Sequence, residues 1–351
     1  MTVYEIITSA NLMGASDIHY GQNEPISVRI DGRIQRLPAN YALNDLKSEL
    51  LDLLTPEQAK DFRSGSDIDL AIQTPDGIRC RVNMFHRMGS LGCVMRILAN
   101  KIPTVEELEL PALLEELVML PRGLVLVTGP TGSGKSTTLA AMLGYANRRR
   151  NSHIITIEDP VEYVHEPKHC VVSQRELGRD TPSFASALRS ALREDPDIII
   201  VGEMRDYETI SAAITAAETG HLVLSTVHTT GAAKSIDRII DVFEPHQQTL
   251  VRSQLAGTLK AVITQQLVPR KEGGRVAALE IMLATPSISS LIREGKIHQI
   301  NASIQTGGRD GMVLLDKSLG ELVKNGTIEF EEALSCCVNE GDLRMFAKRT
   351  I

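Results

Sequence analysis

The chain has 351 residues, with 42% hydrophobic and 23% charged residues, values that are ordinary for a soluble globular protein. This length exceeds the size at which a single hydrophobic core stops growing, so two domains are expected. The net charge of -7 at pH 7 and the lack of a long Lys/Arg stripe argue against sequence-independent binding of DNA or RNA, so no nucleic-acid partner is expected.

The cysteines and the N-terminus indicate the compartment. The five cysteines show neither CxxC spacing nor an even count, which indicates a reducing environment. The N-terminus lacks the basic-then-apolar profile of a signal peptide, and no apolar run approaches the length of a membrane span. We therefore expect a cytoplasmic protein with no direct membrane span, which reaches the inner face of the membrane through a partner protein.

Residues 1–98 have the pattern of a compact mixed α/β domain. An amphipathic helix opens it, with apolar positions that include Val3, Ile6, Ile7 and Leu12. A strand over 26–30 is expected to turn at Asp31-Gly32 into a second strand, because Asp-Gly favours a two-residue hairpin loop. The later patterns predict a helix over 44–54 and strands over 67–72, 79–85 and 92–98. A small antiparallel sheet is the expected result.

Residues 99–122 are predicted to be a linker, because three prolines flank an acidic helical patch. Residues 123–351 then alternate short apolar runs with helical patterns, which is typical of a parallel sheet of the P-loop type. The predicted strands cover 124–128, 154–157, 198–201 and 222–226. The predicted helices cover 184–193 and 209–219, followed by a largely helical C-terminal part with helices near 249–267, 288–294 and 318–325.

A glycine-rich stretch, GPTGSGKST, follows the first of these strands over residues 129–137. The pattern GxxxxGKS between a strand and a helix is the phosphate-binding loop of NTPases, whose backbone N–H groups and helix N-terminus surround phosphate oxygens. Lys135 is predicted to hold the β- and γ-phosphates of ATP, and Ser136 to place its hydroxyl on Mg²⁺. The predicted nucleotide-binding residues of this loop are Gly129, Pro130, Thr131, Gly132, Ser133, Gly134, Lys135, Ser136 and Thr137.

Two acidic segments follow other predicted strands. One reads Glu158-Asp159-Pro160-Val161-Glu162, and the other ends the strand over 198–201 with Gly202-Glu203. Ligands of open α/β sheets bind at the carboxyl ends of the strands, so a carboxylate of the first segment can orient the attacking water. Glu203 is predicted to face Mg²⁺ or its waters. The usual Asp-Glu pair is here Gly-Glu, so one carboxylate of the common pattern is missing.

Two histidines flank the predicted strand over 222–226. Neither has a cysteine nearby or an HExxH pattern, so metal ligation is not expected. For His221, sensing of the γ-phosphate and a satisfied structural hydrogen bond remain equally open. For His228, sensing is favoured. Arg81 and Arg96 lie on strands of the N-terminal domain, where most arginines are simply solvated.

In order, the motifs GPTGSGKST, TIEDPVE, DPDIIIVGEMRD and TGHLVLSTVHT resemble those of the secretion ATPase superfamily. The whole chain is similar to its GspE/PilT family and, within that family, to the PilT-type branch that retracts type IV pili. The resemblance implies a RecA-like P-loop ATPase domain joined to a smaller PAS-like mixed α/β N-terminal domain. It also implies a homohexamer that docks on an inner-membrane pilus platform protein.

The same resemblance assigns site residues. It implies that Glu162 is the water-activating base, that Glu203 is the acid on the Mg²⁺ side, and that His221 and His228 belong to the histidine box of the family. It further implies that Arg81 and Arg96 supply positive charge to the bound nucleotide.

The expected function is that of a Mg²⁺-dependent ATP hydrolase that powers pilin depolymerisation and twitching motility. Within the family, the alternative is an extension or type II secretion ATPase, which usually carries an extra N-terminal domain and a four-cysteine zinc insertion. Outside it, the alternatives are a RecA-like nucleic-acid translocase and a nucleotide-gated scaffold. One departure bears on direction, because the retraction helix AIRNLIRE reads SISSLIRE here over 287–294.

Overall fold

The computed structural model of the chain describes residues 2–22, 24–30, 32–38, 46–98 and 101–348. The chain divides into two compact units, Met1–Lys101 and Ile102–Ile351, each built around its own sheet. Parts of three predictions lie outside the described residues. These parts are Asp31 of the predicted turn, residues 44–45 of the predicted helix, and residues 99–100 of the predicted linker.

The first unit is an antiparallel sheet covered by helices. Its elements are α1 (Val3–Leu12), β1 (Ala15–Gly21), β2 (Ser27–Ile30), β3 (Arg33–Arg36), α2 (Leu46–Asp52), α3 (Pro56–Arg63), β4 (Ile68–Gln73), β5 (Arg79–Arg87) and β6 (Ser90–Ile97). The six strands lie in the order β3-β2-β1-β6-β5-β4, and every neighbouring pair is antiparallel. Apolar side chains on one face of this sheet pack with α1 and α2 into a single core.

The predicted antiparallel sheet is confirmed, but the unit holds more than the sequence pattern indicated. Val3, Ile6 and Ile7 are buried as predicted, whereas Leu12 is 82% exposed. Successive helical residues are about 100° apart, so Leu12 lies about 140° around the helix from Ile7 and faces away from the core. The strand β1 and the helix α3 were not predicted, because polar residues interrupt the apolar pattern in both.

The second unit is a mostly parallel sheet with helices on both faces. Its elements are α4 (Leu113–Val118), β7 (Gly123–Thr128), α5 (Lys135–Asn147), β8 (His153–Glu158), β9 (Val171–Glu176), α6 (Phe184–Ala191), β10 (Ile198–Val201), α7 (Tyr207–Glu218), β11 (Leu222–Val227), α8 (Ala232–Asp241), α9 (Gln248–Thr258), β12 (Leu259–Pro269), β13 (Arg275–Leu283), α10 (Pro286–Arg293), α11 (Ile300–Thr306), α12 (Leu315–Lys324), α13 (Phe330–Cys336) and α14 (Glu340–Ala347). The strand order is β13-β12-β7-β11-β10-β8-β9, where β13 pairs antiparallel with β12 and the other neighbouring strands pair parallel.

The central strands β7, β10 and β11 are buried at every residue, because helices cover both faces of the sheet. The predicted helix over 249–267 is wrong in its second half. The helix α9 ends at Thr258, and the chain continues as β12 beside β7. The run Val262-Ile263-Thr264 is β-branched and favours a strand. The C-terminal part therefore contributes two strands to the sheet as well as helices.

Among the described residues, no helix combines the length and the hydrophobicity needed to cross a membrane.

Candidate active site

The phosphate-binding loop connects the end of β7 to the start of α5 and requires glycine for steric reasons. Gly129, Gly132 and Gly134 have φ values of 142°, 79° and 87°, in the region that side chains disfavour. A Cβ atom on Gly129 would collide with the backbone oxygen of Gln265, and one on Gly134 would lie 2.8 Å from the Gln265 side-chain nitrogen. The loop is therefore pressed against β12, and glycine permits this close approach.

The loop has the donors that an anion needs. The N-cap of α5 is Gly134, which has no side chain to bond the N–H groups of the first turn. The Ser133 hydroxyl is buried and has no hydrogen-bond partner in the described part of the chain. The Lys135 ammonium donates to the carbonyl oxygens of Gly129 and Pro130, each at 2.9 Å. A phosphate group, with several acceptor oxygens and a negative charge, fits these donors.

Gln265 on β12 holds the loop from the side of α5, although it belongs to no sequence motif. Its Nε2 donates to the Ser133 carbonyl oxygen at 2.7 Å, and its Oε1 accepts from the Thr138 hydroxyl at 2.7 Å. The side chain is buried, so both bonds lie away from water. Because a helix was predicted over 249–267, Gln265 was not predicted as a residue of the site. Assigning residues 259–269 to a strand would have placed Gln265 beside the loop.

Glu203 and His228 meet next to the loop. The Nε2 atom of His228 lies 3.1 Å from Oε2 of Glu203, and its Nδ1 atom lies 3.5 Å from the Thr131 hydroxyl. Arg205 also forms an ion pair with Glu203. Burial, together with the charges of Lys135 and Arg205, lowers the pKa of His228 and favours its neutral form. The structure therefore brings three predicted site residues, Thr131, Glu203 and His228, into one cluster.

Hydrogen bonds between strand ends fix Glu203. The Gly202 N–H donates to the Ile157 carbonyl oxygen at 2.7 Å, and the Gly202 carbonyl accepts from the Thr226 hydroxyl at 2.6 Å. A Cβ atom at Gly202 would lie 3.1 Å from the same Ile157 oxygen and 3.3 Å from Cα of Glu158. The missing carboxylate of the usual Asp-Glu pair thus has a steric reason, because the end of β8 leaves little space for a side chain at this position.

Glu158 at the end of β8 is engaged in the structure of the sheet. It accepts hydrogen bonds from the Thr156 hydroxyl at 2.6 Å and from the Gln174 amide at 3.1 Å. Burial raises the pKa of Glu158, and these two donors oppose that rise. Its Oε1 atom is therefore occupied by neighbours on β8 and β9.

Glu162 lies in the segment that follows β8 and is electrostatically coupled to the phosphate loop. Burial lowers the pKa of Lys135, and the negative charge of Glu162 raises it. The next residue, Tyr163, has its hydroxyl 3.0 Å from the Thr137 hydroxyl at the start of α5. Of the two glutamates in the first acidic segment, Glu162 is thus the one whose charge acts on Lys135 of the loop.

His221 lies apart from this cluster. Since β11 runs parallel to β7, with Leu222 beside Gly123 and Val227 beside Thr128, His221 is at the edge of the sheet opposite the loop. Its Nδ1 atom lies 3.0 Å from the Ala216 carbonyl oxygen at the end of α7. The structure shows the structural hydrogen bond of His221, and a nucleotide contact by this residue stays a prediction.

Arg81 and Arg96 are directly opposite each other on β5 and β6 of the first unit, so their side chains share a face of the sheet. The Nε of Arg96 donates to Oδ1 of buried Asp17 at 2.9 Å, and the Nε of Arg81 lies 3.4 Å from Oδ1 of Asp69. Both arginines therefore have carboxylate partners on their own sheet, and their part in nucleotide chemistry stays a prediction.

A family model described as Type II/IV secretion system protein matches residues 1–273. This chain belongs to that family. The Type IV pilus retractation ATPase PilT of Pseudomonas aeruginosa is 50% identical over 336 residues, 95% of this chain and 97% of that protein. The Twitching motility protein of Neisseria gonorrhoeae is 47% identical over 308 residues, 87% of this chain and 82% of that protein.

A solved structure gives the same result. The crystal structure of the pilus retraction motor PilT with bound ADP has a TM-score of 0.91 and 42% identity, covering 98% of this chain and 99% of that chain. These findings confirm the resemblance to the retraction branch of the family. They also confirm the predicted fold class, a RecA-like P-loop ATPase domain with a smaller mixed α/β N-terminal domain. The chain is accordingly an ATP-hydrolysing enzyme that binds nucleotide.

Proposed function

We propose that this chain is a Mg²⁺-dependent ATPase motor that powers retraction of type IV pili and thereby twitching motility. The observation that carries the proposal is the likeness to a pilus retraction motor over nearly the full length of both chains. The reaction is phosphoryl transfer from ATP to water, and retraction is the removal of pilin subunits from the base of the pilus.

ATP binds with its phosphates on the loop over 129–137. The backbone N–H groups of the loop and of the first turn of α5 donate to phosphate oxygens. The unpartnered Ser133 hydroxyl is a further donor. Lys135 exchanges its two loop carbonyls for β- and γ-phosphate oxygens, so that its charge is neutralised by the substrate.

Ser136 and Glu203 are the residues that would hold Mg²⁺. A hydroxyl and a carboxylate are hard oxygen donors of the kind that Mg²⁺ prefers. When bound, the ion neutralises charge that develops on the phosphate oxygens. Ser136 is exposed at the start of α5, where water and substrate can reach it.

Hydrolysis uses the other groups of the site. Glu162 orients the attacking water and accepts its proton, a role suited to a carboxylate whose charge acts on Lys135. His228, neutral and placed between Thr131 and Glu203, reports the presence of the γ-phosphate to the end of β10. Following the pattern of the family, Arg81 and Arg96 add positive charge to the transition state in the assembled ring.

The working form is a cytoplasmic homohexamer that acts on an inner-membrane pilus platform protein. Nucleic acid is not its substrate, and the net charge of -7 supports this. A RecA-like translocase would show phosphate release that DNA stimulates, and we expect no such stimulation. A nucleotide-gated scaffold would bind ATP with no steady-state phosphate release.

The alternative within the family is a pilus-extension or type II secretion ATPase. The altered stretch SISSLIRE is the observation that favours this alternative. In the structure this stretch forms most of α10, where Ile288 and Ile292 are buried and the Ser290 hydroxyl donates to Glu294 at 2.9 Å. The serines of this stretch are therefore not among the buried residues of α10, which are apolar.

The experiment is a gene deletion in the organism that carries this chain. We expect more surface pili per cell and loss of surface motility, both restored by the wild-type gene. A Lys135→Ala gene should restore neither, because the deletion phenotype reflects lost hydrolysis. The matched control is Lys168→Ala, which removes an exposed lysine paired with Glu166 and should complement fully. Cells without pili after the deletion would instead identify an extension motor.

A further inference from the structure

The loop between β11 and α8 carries His228, and its ends determine where that histidine lies. At its start, Val227 pairs with Thr128 of β7, directly before the phosphate loop. Its last residue is Gly231, the N-cap of α8, with a φ of 107° and no side chain to cap the helix. The position of His228 therefore depends on what holds the N-terminus of α8.

Glu280 of β13 provides that hold. Its Oε1 atom accepts a hydrogen bond from the Ala232 N–H, the first residue of α8, at 2.7 Å. The residue is only 5% exposed. A buried carboxylate at a helix N-terminus satisfies free N–H groups and interacts favourably with the helix dipole. Glu280 thus caps α8 from the sheet.

Hydroxyl groups extend this hold into the loop. The Ser235 hydroxyl donates to the Gly231 carbonyl oxygen at 2.8 Å, and it lies 2.6 Å from the Thr229 hydroxyl. Thr229 is the neighbour of His228 in the chain. The first turn of α8 is therefore linked through Ser235 to the residue next to the histidine.

The sheet places Glu280 on the opposite side of β12 from Gln265. Glu280 pairs in register with Thr264 of β12, and the Thr264 hydroxyl lies 2.8 Å from that of Thr128 on β7. Successive strand residues alternate between faces, so Gln265 supports the phosphate loop on the α5 side and Glu280 faces the α8 side. The two loops of the site are thus held from opposite faces of one strand pair.

We propose that Glu280 is a positioning residue for His228, which it acts on by fixing the end of the loop over 228–231. This inference rests on the proposed role of His228 in hydrolysis. Without the cap, the loop would move and the contacts of His228 with Thr131 and Glu203 would lengthen. The phosphate loop would keep its support from Gln265, so ATP binding would be retained.

The test compares Glu280→Ala with Glu280→Gln in the full-length chain. We expect Glu280→Ala to bind ATP with unchanged Kd and to lose kcat by about 10- to 100-fold, the scale of a small misplacement at a catalytic site. Glu280→Gln keeps an oxygen that can accept from Ala232, so it should lose less. If the alanine variant does not fold, the glutamine variant carries the same measurements.

Two readouts separate positioning from a purely structural role. In the background His228→Ala, the substitution Glu280→Ala should cause no further loss of kcat, because the two residues act through one group. The loss should also fall on kcat and leave the Kd for ATP unchanged, because the phosphate loop keeps its support from Gln265.

The matched control is Asp316→Ala on α12. Asp316 is another buried carboxylate, and it accepts from the N–H groups of Val338 and Asn339 rather than from α8. Its loss should lower stability and leave kcat close to the wild-type value. Additive losses of kcat in the double variant, or a raised Kd for ATP in place of a lower kcat, would overturn the inference. Wild-type kcat in His228→Ala alone would instead refute the proposed role of that histidine.

Discussion

The residues of the candidate site fall into two groups. The sequence predicts one group, and the other group joins the site only because of the fold. The loop over 129–137, Glu203 and His228 stand in local motifs, so each could be located without coordinates. Gln265 and Glu280 belong to no motif, and they reach the site because β12 lies next to β7 and β13 pairs with β12. Such residues contact the site through strand pairing, and strand pairing is not visible in a short window of sequence.

Two carboxylates near the loop are expected to act at different steps. Glu162→Gln should keep Mg-ATP binding and lower kcat by at least about 100-fold, because an amide cannot accept the proton of the attacking water. Glu203→Gln should lower kcat and also raise the Mg²⁺ concentration needed for half-maximal rate. Steady-state phosphate release at varied Mg²⁺ measures both effects.

The control for this pair is Glu158→Gln, a neighbouring acid whose Oε1 atom already accepts from Thr156 and Gln174. We expect its kcat and its Mg²⁺ requirement to stay close to those of the wild type. If Glu162→Gln retains full activity, the water-activating base lies elsewhere.

At the scale of whole elements, the central strands were predictable because each is a short apolar run with turn residues at its ends. The strands β7, β10 and β11 are buried on both faces, so their sequences are apolar throughout. The predicted helix over 249–267 was wrong because its second half holds a short apolar run, over 261–263, that fits either structure by hydrophobicity alone. Its β-branched second half pairs with β7, and this long-range pairing decides the outcome.

The strand β12 yields a prediction of its own. Gln265→Ala leaves the buried Ser133 carbonyl and Thr138 hydroxyl without their partner, which should lower the free energy of unfolding by about 1–3 kcal/mol. The phosphate loop then loses its support, so the KM for ATP should rise. Denaturant unfolding and ATPase kinetics check the two effects. Gln266→Ala, on the opposite face of the same strand, should change neither, and an unchanged KM in Gln265→Ala would show that the loop holds its shape alone.

At the scale of the whole molecule, both units share the likeness to a pilus retraction motor, since the matched structure covers 98% of this chain. The predicted two-part α/β fold followed from length and pattern, and the fold class was then specified by four motifs in fixed order. The direction of the motor has no local signature of that strength. The one helix that marks the retraction branch is half altered here, so direction must be observed in cells.

The most direct measurement is time-lapse imaging of fluorescently labelled pili in living cells that carry Glu162→Gln in place of the wild-type gene. A retraction motor that binds ATP but cannot hydrolyse it predicts pili that extend, persist and rarely shorten, while wild-type cells show frequent shortening. The variant should be present at the wild-type level, as measured by immunoblot. Pili that shorten at the wild-type frequency, or cells that fail to extend pili at all, would contradict the account.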